Sequence, residues 1–362
     1  MTRYHIETGE TAGFTTYTLF DEVFTAAAAL VPELGGNCVS LTTSARGPGG
    51  TPACEPLLCV LPPADLRELM ESPFHAGIPV LFPFPNRVRD GAYVWNGRAL
   101  KMQRSLDKGW DRSAHQAIHG LAGDQAWKAV RSECTAESAA LTLEFDTGLH
   151  ADVLEQYPFR CSVQVCWRLS DGELGMEIAI ANKEAEAIPI GFGIHPWFPT
   201  QLRPGVMTID QAQAVPAASR ANLEVTVPCA AVWQLQDLMP TGRVLALADA
   251  ADATDLRAFT PLDGRTFDTV YTRVSARDAG GASTARIRDL ESGLELYVAA
   301  AEPFREWVVY APTQRNVICL EPYTCVTDAI NLQPRGIDAG LIALEAGSEW
   351  RSSIRIGLSA VE

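Results

Sequence analysis

The chain has 362 residues, of which 47% are hydrophobic and 20% are charged, so it is long enough to bury a large core. Acidic residues outnumber basic ones 44 to 29, for a net charge of −15. This balance argues against nucleic acids and other polyanions as partners, because their recognition depends on Lys and Arg. No apolar run approaches the roughly 20 residues that a membrane-spanning helix needs, so we expect no membrane contact.

The N-terminus and the cysteines indicate the compartment. The first residues, MTRYHIETGETAG, lack the basic and apolar regions of a signal peptide, and we therefore expect the protein in the cytoplasm. The nine cysteines are scattered and include no CxxC pair. This pattern argues against a disulfide framework and against a zinc site, and we expect most of the cysteines to be reduced and buried.

Taken in chain order, the predicted elements are mostly strands. An exposed loop is predicted over 43–53, a helix over 63–70 and a second helix over 151–156. Residues 93–95 lead into the dipeptide Asn96-Gly97, the strongest short-range signal for a two-residue hairpin. Further strands are predicted over 140–145, 161–169, 174–182, 294–300, 306–311 and 350–358.

These elements predict an all-β fold, a large antiparallel β-sandwich with few short helices. Strands do not alternate regularly with helices, as they would in a parallel sheet. Several of the strands alternate polar and apolar residues, which is typical of strands with one buried face. No repeat, low-complexity segment or linker divides the sequence, so we expect one domain over 1–362.

Two apolar segments each carry one ionisable residue directly before a proline. They are PIGFGIHPWF, which contains His195, and VICLEPYTCVTDAIN, which contains Glu321. Because proline favours extended geometry in the preceding residue, we expect both residues to continue buried strands to their last position. A histidine and a carboxylate held by rigid backbone are suited to act as an acid and base pair.

These segments belong to a series of motifs by which the chain resembles the aldose 1-epimerases (galactose mutarotases). In order, the motifs are GIPVLFPFPNRVRDGAYVWNG (77–97), IHG (118–120), GFGIHPWF (191–198), FDTVY (267–271) and CLEPYTCVTDAINL (319–332). Their order and spacing agree with the family from about Gly77 to the C-terminus. The resemblance implies a galactose mutarotase-like sandwich with a sugar cleft across one sheet.

The resemblance also implies an activity, the interconversion of the α and β anomers of a free aldose. Opening the hemiacetal ring requires a base for the anomeric hydroxyl proton and an acid for the ring oxygen, and it needs no cofactor or metal ion. The family's base falls on Glu321 and its acid on His195. With reference pKa values of ~4.3 and ~6.5, the glutamate is expected to be ionised and the histidine partly protonated beside it.

Four further residues match positions that bind the sugar in the family. The resemblance implies that His119 lies near the ring oxygen and that Asp268 accepts hydrogen bonds from sugar hydroxyls. Arg87 would bind sugar oxygens through its fork of donors, and Asn86 offers both a donor and an acceptor. Asp328 is instead predicted to be structural, accepting backbone hydrogen bonds in the turn after the glutamate motif.

The motifs leave the identity of the sugar open. The histidine motif reads HPWF where the family commonly has tyrosine in place of the tryptophan, and LAGDQAW after HG lacks a frequent arginine. Three aromatic side chains are candidates either for stacking on a sugar or for the core, namely Trp110, Trp197 and Tyr323. The expected partner is a small sugar, and the oligomeric state is open between a monomer and a weak dimer.

Alternative functions also stay open. A hexose-6-phosphate 1-epimerase would need clustered cations, and Arg87 and Arg89 could share one face of a strand. A non-catalytic sugar-binding or sensor protein of the same fold would not need both His195 and Glu321. A glycoside hydrolase would need two spaced carboxylates, for which Asp268 and Glu321 are the candidate pair.

Overall fold

The structure is a computed structural model that describes residues 2–102, 116–204, 208–214, 220–250, 254–313 and 315–361. About 50% of it is strand and 10% is helix, which confirms the all-β prediction. Its helices are α1 (Glu68–Glu71), α2 (Ala151–Gln156), α3 (Ile209–Ala214) and α4 (Ala329–Leu332). Within the described ranges, no helix is long and apolar enough to cross a membrane.

The strands run through the whole chain. Those of the first half are β1 (Tyr4–Thr11), β2 (Phe14–Asp21), β3 (Ala26–Val31), β4 (Asn37–Thr43), β5 (Leu57–Val60), β6 (Val80–Leu81), β7 (Arg87–Val88), β8 (Ala92–Trp95), β9 (Arg98–Lys101), β10 (Ala117–Ile118), β11 (Lys128–Cys134), β12 (Ala139–Asp146), β13 (Cys161–Ser170) and β14 (Glu173–Asn182). Those of the second half are β15 (Ile188–Ile190), β16 (Gly193–Ile194), β17 (Phe198–Pro199), β18 (Leu223–Thr226), β19 (Cys229–Gln236), β20 (Met239–Ala246), β21 (Thr260–Pro261), β22 (Phe267–Val274), β23 (Ser283–Asp289), β24 (Leu294–Ala300), β25 (Glu306–Ala311), β26 (Val317–Tyr323), β27 (Ile342–Leu344) and β28 (Glu349–Ala360).

Three large sheets contain most of these strands. Strands β1 to β5 form a five-stranded meander, and a nine-stranded sheet has the order β11-β12-β13-β14-β28-β24-β23-β18-β21. An eight-stranded sheet has the order β20-β19-β22-β25-β26-β16-β6, with β17 also pairing with β26. The central pairs of the two largest sheets are antiparallel, as predicted.

The nine-stranded and eight-stranded sheets pack against each other around the main hydrophobic core. Alternate residues of β13, such as Val163 and Trp167, enter this core from one side, and Trp307 and Val309 of β25 enter from the other. The indole nitrogen of Trp307 donates a 3.1 Å hydrogen bond to Oγ of Ser283 on β23, so the two sheets are in direct contact. This packing confirms the predicted β-sandwich.

The eight-stranded sheet has a second face, which points away from the main core. On β26, Ile318 and Leu320 belong to the main core. Because side chains alternate along a strand, Cys319, Glu321 and Tyr323 lie on the opposite face. That second face carries the candidate site.

Most predicted elements agree with the structure. The strands predicted over 140–145, 161–169, 174–182, 294–300, 306–311 and 350–358 correspond to β12, β13, β14, β24, β25 and β28, and the helix over 151–156 is α2. The hairpin between β8 and β9 turns at Asn96 and Gly97, whose φ angles of 48° and 76° suit a two-residue turn. Residues 46–53 form the predicted loop, although residues 43–45 are buried.

The helix predicted over 63–70 is wrong for most of its length, because only Glu68–Glu71 is helical. Pro62 and Pro63 do not explain this, because proline is tolerated in the first turn of a helix. The carbonyl of Pro62 accepts a 2.8 Å hydrogen bond from the amide of Ile209, which ties this segment to another part of the chain. Leu66 and Leu69 are buried, but they belong to a turn and the short helix α1 and not to a longer helix.

The nine cysteines are free, and six of them are buried. This agrees with the expectation that most of them are reduced and buried. The buried ones are Cys38, Cys59, Cys161, Cys229, Cys319 and Cys325.

Candidate active site

His195 and Glu321 come together because their strands are neighbours. Strand β16 pairs with β26, with Gly193 opposite Tyr323, and His195 follows β16 directly. The expectation that both residues end their strands is wrong: β16 stops one residue before His195, and β26 continues past Glu321 to Tyr323. A strand tolerates Pro322 inside β26 only where its missing amide hydrogen is not needed.

The two side chains form a close and buried pair. Nε2 of His195 lies 3.6 Å from Oε1 of Glu321. The exposed fraction is 8% for His195 and 1% for Glu321. The imidazole stacks on the buried indole of Trp197, with ring centroids 4.9 Å apart and an interplanar angle of 19°. The indole therefore fixes the plane of the imidazole, and the strand fixes the carboxylate.

Tyr323 holds the other oxygen of the glutamate. Its hydroxyl donates a hydrogen bond to Oε2 of Glu321, and the Asn86 side chain in turn hydrogen-bonds to Tyr323. This arrangement leaves Oε1 directed toward His195. Of the three aromatic candidates, Trp197 and Tyr323 are buried and contact the pair, whereas Trp110 lies outside the described residues.

Burial changes the protonation that reference pKa values suggest. It raises the pKa of Glu321 well above its usual value, and Asp268 adds to this while Tyr323 and Arg87 oppose it. Burial also lowers the pKa of His195 to about 3. An ionised glutamate beside a partly protonated histidine is therefore not the favoured state of the buried pair. Where the two groups share one proton, burial favours its location on Glu321.

His119 lies beside His195 in an unusual backbone conformation. Its φ angle is 64°, its amide donates a 2.8 Å hydrogen bond to the carbonyl of Asn86, and its ring meets that of His195 edge-on at 5.3 Å. Burial, His195 and Arg87 lower the pKa of His119 well below its usual value, so the ring is neutral. Among the described residues, its buried Nδ1 has no hydrogen-bond partner.

The glycine that follows His119 is required by close backbone packing. Gly120 has a φ angle of 76°, and a Cβ atom at this position would lie 2.2 Å from the carbonyl oxygen of Phe82. Only glycine therefore allows the chain to turn here and keep His119 in place.

Asn86 and Arg87 form a compact polar unit next to the pair. Asn86 adopts a φ angle of 60°, and its Oδ1 accepts hydrogen bonds from the amide and from Nη1 of Arg87, at 2.9 and 3.1 Å. The carbonyl of Arg87 accepts a 2.8 Å hydrogen bond from the amide of Asp328. Oδ1 of Asp328 accepts one of 3.0 Å from the amide of Arg89, in agreement with its predicted structural role.

Asp268 reaches the same face of the sheet from β22. It pairs with Tyr310 on β25, and Tyr310 pairs with Cys319 on β26, so the three side chains form a row across neighbouring strands. Asp268 is exposed, and its charge acts on the buried Glu321. All six predicted site residues therefore surround one region of the eight-stranded sheet.

Two residues of this region were not recognised as part of a site from the sequence, namely Tyr310 and Cys319. The sulfur of Cys319 and the candidate ligand atoms of His195 and Glu321 all lie within 4.8 Å of one another. Tyr323 was a candidate only for stacking on the sugar or for the core, and its hydrogen bond to Glu321 was not predicted. The two-residue spacing of Cys319, Glu321 and Tyr323 on one strand is a signal that could have placed Cys319 and Tyr323 beside the glutamate side chain.

Known proteins resemble the chain in sequence and in fold. The sequence model of the aldose 1-epimerase family matches residues 25–357. The uncharacterized protein YihR of Escherichia coli K12 is 26% identical over 278 residues, which cover 75% of this chain and 76% of YihR.

Two solved structures have the same fold at low sequence identity. A galactose mutarotase-like protein from Clostridium acetobutylicum gives a TM-score of 0.80 at 17% identity, with 99% of both chains covered. Galactose 1-epimerase from Lactobacillus acidophilus gives a TM-score of 0.71 at 13% identity, with 100% of both chains covered. The fold is therefore galactose mutarotase-like.

Proposed function

The chain belongs to the aldose 1-epimerase family, and we propose that it interconverts the α and β anomers of a free aldose, with Glu321 as base and His195 as acid. The observation that carries this proposal is the 3.6 Å approach of His195 Nε2 to Glu321 Oε1. A histidine and a carboxylate at this distance, both buried, can exchange protons with one small substrate placed against them.

The proposed reaction conserves the single proton of the pair. Glu321 takes the proton of the anomeric hydroxyl while His195 gives one to the ring oxygen, so the C1–O5 bond breaks and a C1 carbonyl forms. Rotation about the bond between C1 and C2 presents the other face of the aldehyde. The same two groups then act in reverse and close the ring as the opposite anomer.

Substrate binding supplies the protonation state that this mechanism requires. Burial raises the pKa of Glu321 and so favours the protonated form of its side chain. The hydroxyl of Tyr323 and the charge of Arg87 already favour the carboxylate form, and a sugar hydroxyl that donates to Oε1 adds a third favourable interaction. We propose that this interaction moves the shared proton to His195.

We propose that the sugar is held by hydrogen bonds and not by charge. His119 offers its buried Nδ1, Arg87 and Asn86 offer donors, and Asp268 offers an acceptor. Arg89 gives little support to a phosphorylated substrate, because its Nε lies 3.6 Å from Oδ2 of Asp328 and its backbone amide also donates to Asp328. A free aldose is therefore the favoured substrate class.

Polarimetry of freshly dissolved α-D-glucose and α-D-galactose tests the proposal. We expect the wild type to speed the approach to anomeric equilibrium above the spontaneous rate. Glu321→Gln and His195→Asn should each lower that enzymatic rate by about 100-fold or more, since general acid and base catalysis contributes this much. His5→Asn, a histidine outside the site, is the matched control, and circular dichroism verifies folding.

The alternative outcomes decide between functions. If the wild type acts on neither aldose but acts on hexose 6-phosphates, the substrate class is wrong and the catalytic pair stands. If it accelerates none of them and yet binds sugars in calorimetry, the protein is a non-catalytic sugar-binding member of the fold.

A further inference from the structure

We infer that the same site binds one thiophilic divalent cation of the Zn²⁺ class through His195, Cys319 and Glu321, and that this ion inhibits the enzyme. The candidate ligand atoms are one imidazole nitrogen, one sulfur and one carboxylate oxygen, and all of them lie within 4.8 Å of one another. All three residues are buried. In the part of the chain that the structure describes, this is the one such group.

The distances suit a tetrahedral ion. With zinc–nitrogen and zinc–oxygen bonds of about 2.0 Å and a zinc–sulfur bond of about 2.3 Å, two ligands of one tetrahedral ion lie about 3.3–3.6 Å apart. Nε2 of His195 and Oε1 of Glu321 are 3.6 Å apart. Two of the three ligand atoms therefore need little movement, and the sulfur, which lies within 4.8 Å of both, needs to approach by up to about 1.3 Å. Three protein ligands leave a fourth position for water.

The sheet holds these ligands in place before any ion arrives. Cys319 and Glu321 are two residues apart on β26, so their side chains share a face, and β16 delivers His195 from the neighbouring strand. The Tyr323 hydroxyl donates a hydrogen bond to Oε2 of Glu321, so Oε1 remains directed toward His195. Binding therefore costs little ordering of side chains, a feature that favours affinity.

The charges of the ligand set suit a divalent cation. A thiolate at Cys319 and a carboxylate at Glu321 cancel the two positive charges of the ion, and a neutral imidazole at His195 adds a third ligand. A neutral complex can be buried beside Arg87 at small electrostatic cost.

The inhibitory part of this inference rests on the proposed function. The ion would occupy both the acid and the base, and the sugar and the ion would compete for one space. The binding part does not depend on catalysis. The two parts therefore need separate measurements.

Titration of the full-length, chelator-treated protein with Co²⁺ tests the binding part. Thiolate ligation of Co²⁺ produces a sulfur-to-metal charge-transfer absorption in the near ultraviolet, and Zn²⁺ should displace it. We expect one equivalent of Co²⁺ with this absorption in the wild type. Cys319→Ser and Cys319→Ala should abolish the absorption and weaken binding by at least about tenfold, since one of three ligands is lost.

Cys325→Ser is the matched control, because Cys325 is an equally buried cysteine six residues further along. It should keep both the absorption and the affinity. Two variants at position 319, each checked by circular dichroism, separate the loss of a ligand from a failure to fold. An absorption that survives in both variants, or no absorption in the wild type, overturns the metal site.

Polarimetry with added Zn²⁺ tests the inhibitory part. The sugar concentration that gives half-maximal rate should rise with Zn²⁺, and the ratio of rates with and without Zn²⁺ should move toward one in Cys319→Ser. If Zn²⁺ occupies the site without changing the rate, the inhibition is wrong. A protein that binds Co²⁺ as expected but epimerises no aldose supports the metal site and removes only the proposed function.

Discussion

The hydroxyl of Tyr323 donates a hydrogen bond to Oε2 of Glu321, the residue two positions earlier on the same strand. This contact orients the carboxylate toward His195, and it also favours the ionised form, which lowers the pKa of Glu321 against the effect of burial. Tyr323 therefore positions and tunes the proposed base without touching the reacting atoms itself.

Tyr323→Phe removes this hydroxyl and keeps the ring. We expect kcat to fall by about tenfold or more with KM little changed, because a hydrogen bond to a charged group contributes about 1.5–3 kcal/mol. The pKa of Glu321 should rise further, so the pH profile should shift as well. Tyr157→Phe is the control, since Tyr157 is a buried tyrosine that donates a 2.9 Å hydrogen bond to the carbonyl of Pro189. Equal kinetic losses in both variants would contradict the role of Tyr323.

The pH dependence of kcat/KM should be flat through the range where a solvated histidine titrates. Burial lowers the pKa of His195 to about 3 and raises that of Glu321 well above its usual value. The imidazole of His195 in the free enzyme therefore does not titrate near its usual value. We expect kcat/KM to vary by less than about twofold between about pH 5 and about pH 8. A transition centred near pH ~6.5 would mean that His195 is exposed to solvent.

Asp328 supports the segment that carries Arg87. It has a φ angle of 61°, and its carboxylate accepts hydrogen bonds from the amide of Arg89 and from Nδ2 of Asn331, at 3.0 and 2.7 Å. Asp328→Ala should cost about 2–4 kcal/mol of unfolding free energy, since it leaves donors unsatisfied and strains the left-handed backbone. KM should rise more than kcat falls, because Arg87 is held less firmly.

Asp328→Asn is the conservative partner of that variant. Asparagine keeps an acceptor oxygen and tolerates the left-handed conformation, so we expect less than about half of the loss seen with alanine. Thermal unfolding and steady-state kinetics measure both effects. An alanine variant as stable as the asparagine variant would contradict this account.

Glu306 should make the protein less stable as the pH rises. It is fully buried, its Oε2 accepts a 2.9 Å hydrogen bond from Trp233, and its Oε1 lies 3.2 Å from Arg305. Burial outweighs these contacts and raises the pKa of the carboxyl to about 7. The pKa of Glu306 is higher in the folded state than in the unfolded state. Its contribution to the unfolding free energy is therefore greatest below about pH 4.5 and is lost as the pH rises to about 7.

Glu306→Gln removes this titration. The unfolding free energy of the variant relative to the wild type should increase by up to about 3 kcal/mol between about pH 4.5 and about pH 7.5. Denaturant unfolding at several pH values measures the difference, and other titrating groups cancel in the comparison. Glu10→Gln, at an exposed glutamate, is the matched control. A constant difference for Glu306→Gln across this range would mean that the ion pair with Arg305 dominates.

The sequence predicts the strands better than their ends. Long alternating segments such as 161–169 and 174–182 predict β13 and β14 well, because the period of two continues over the whole strand. The segment 63–70 misleads because a contact from Ile209, far away in the chain, decides the local conformation of Pro62 and its neighbours. Local patterns contain no information about such a contact.

The residues of the candidate site could be proposed from the sequence, but their pKa shifts could not. His195 and Glu321 were identified through a family resemblance, and no local pattern says that their strands are adjacent. The pKa shifts depend on burial by distant segments, such as the stacking of Trp197 on His195, and reference pKa values contain no information about that burial. Cys319 and Tyr323, by contrast, follow from simple alternation around Glu321.

The alternation along β26 restricts how this protein can diverge. One set of its residues, Ile318 and Leu320, fills the main core, and the other, Cys319, Glu321 and Tyr323, faces the site. Insertion or deletion of a single residue within β26 would exchange the two sets and destroy core and site together. New sugar preferences should therefore evolve by substitution at the site face and by changes of length in the surrounding loops, while the length of β26 stays the same across descendants.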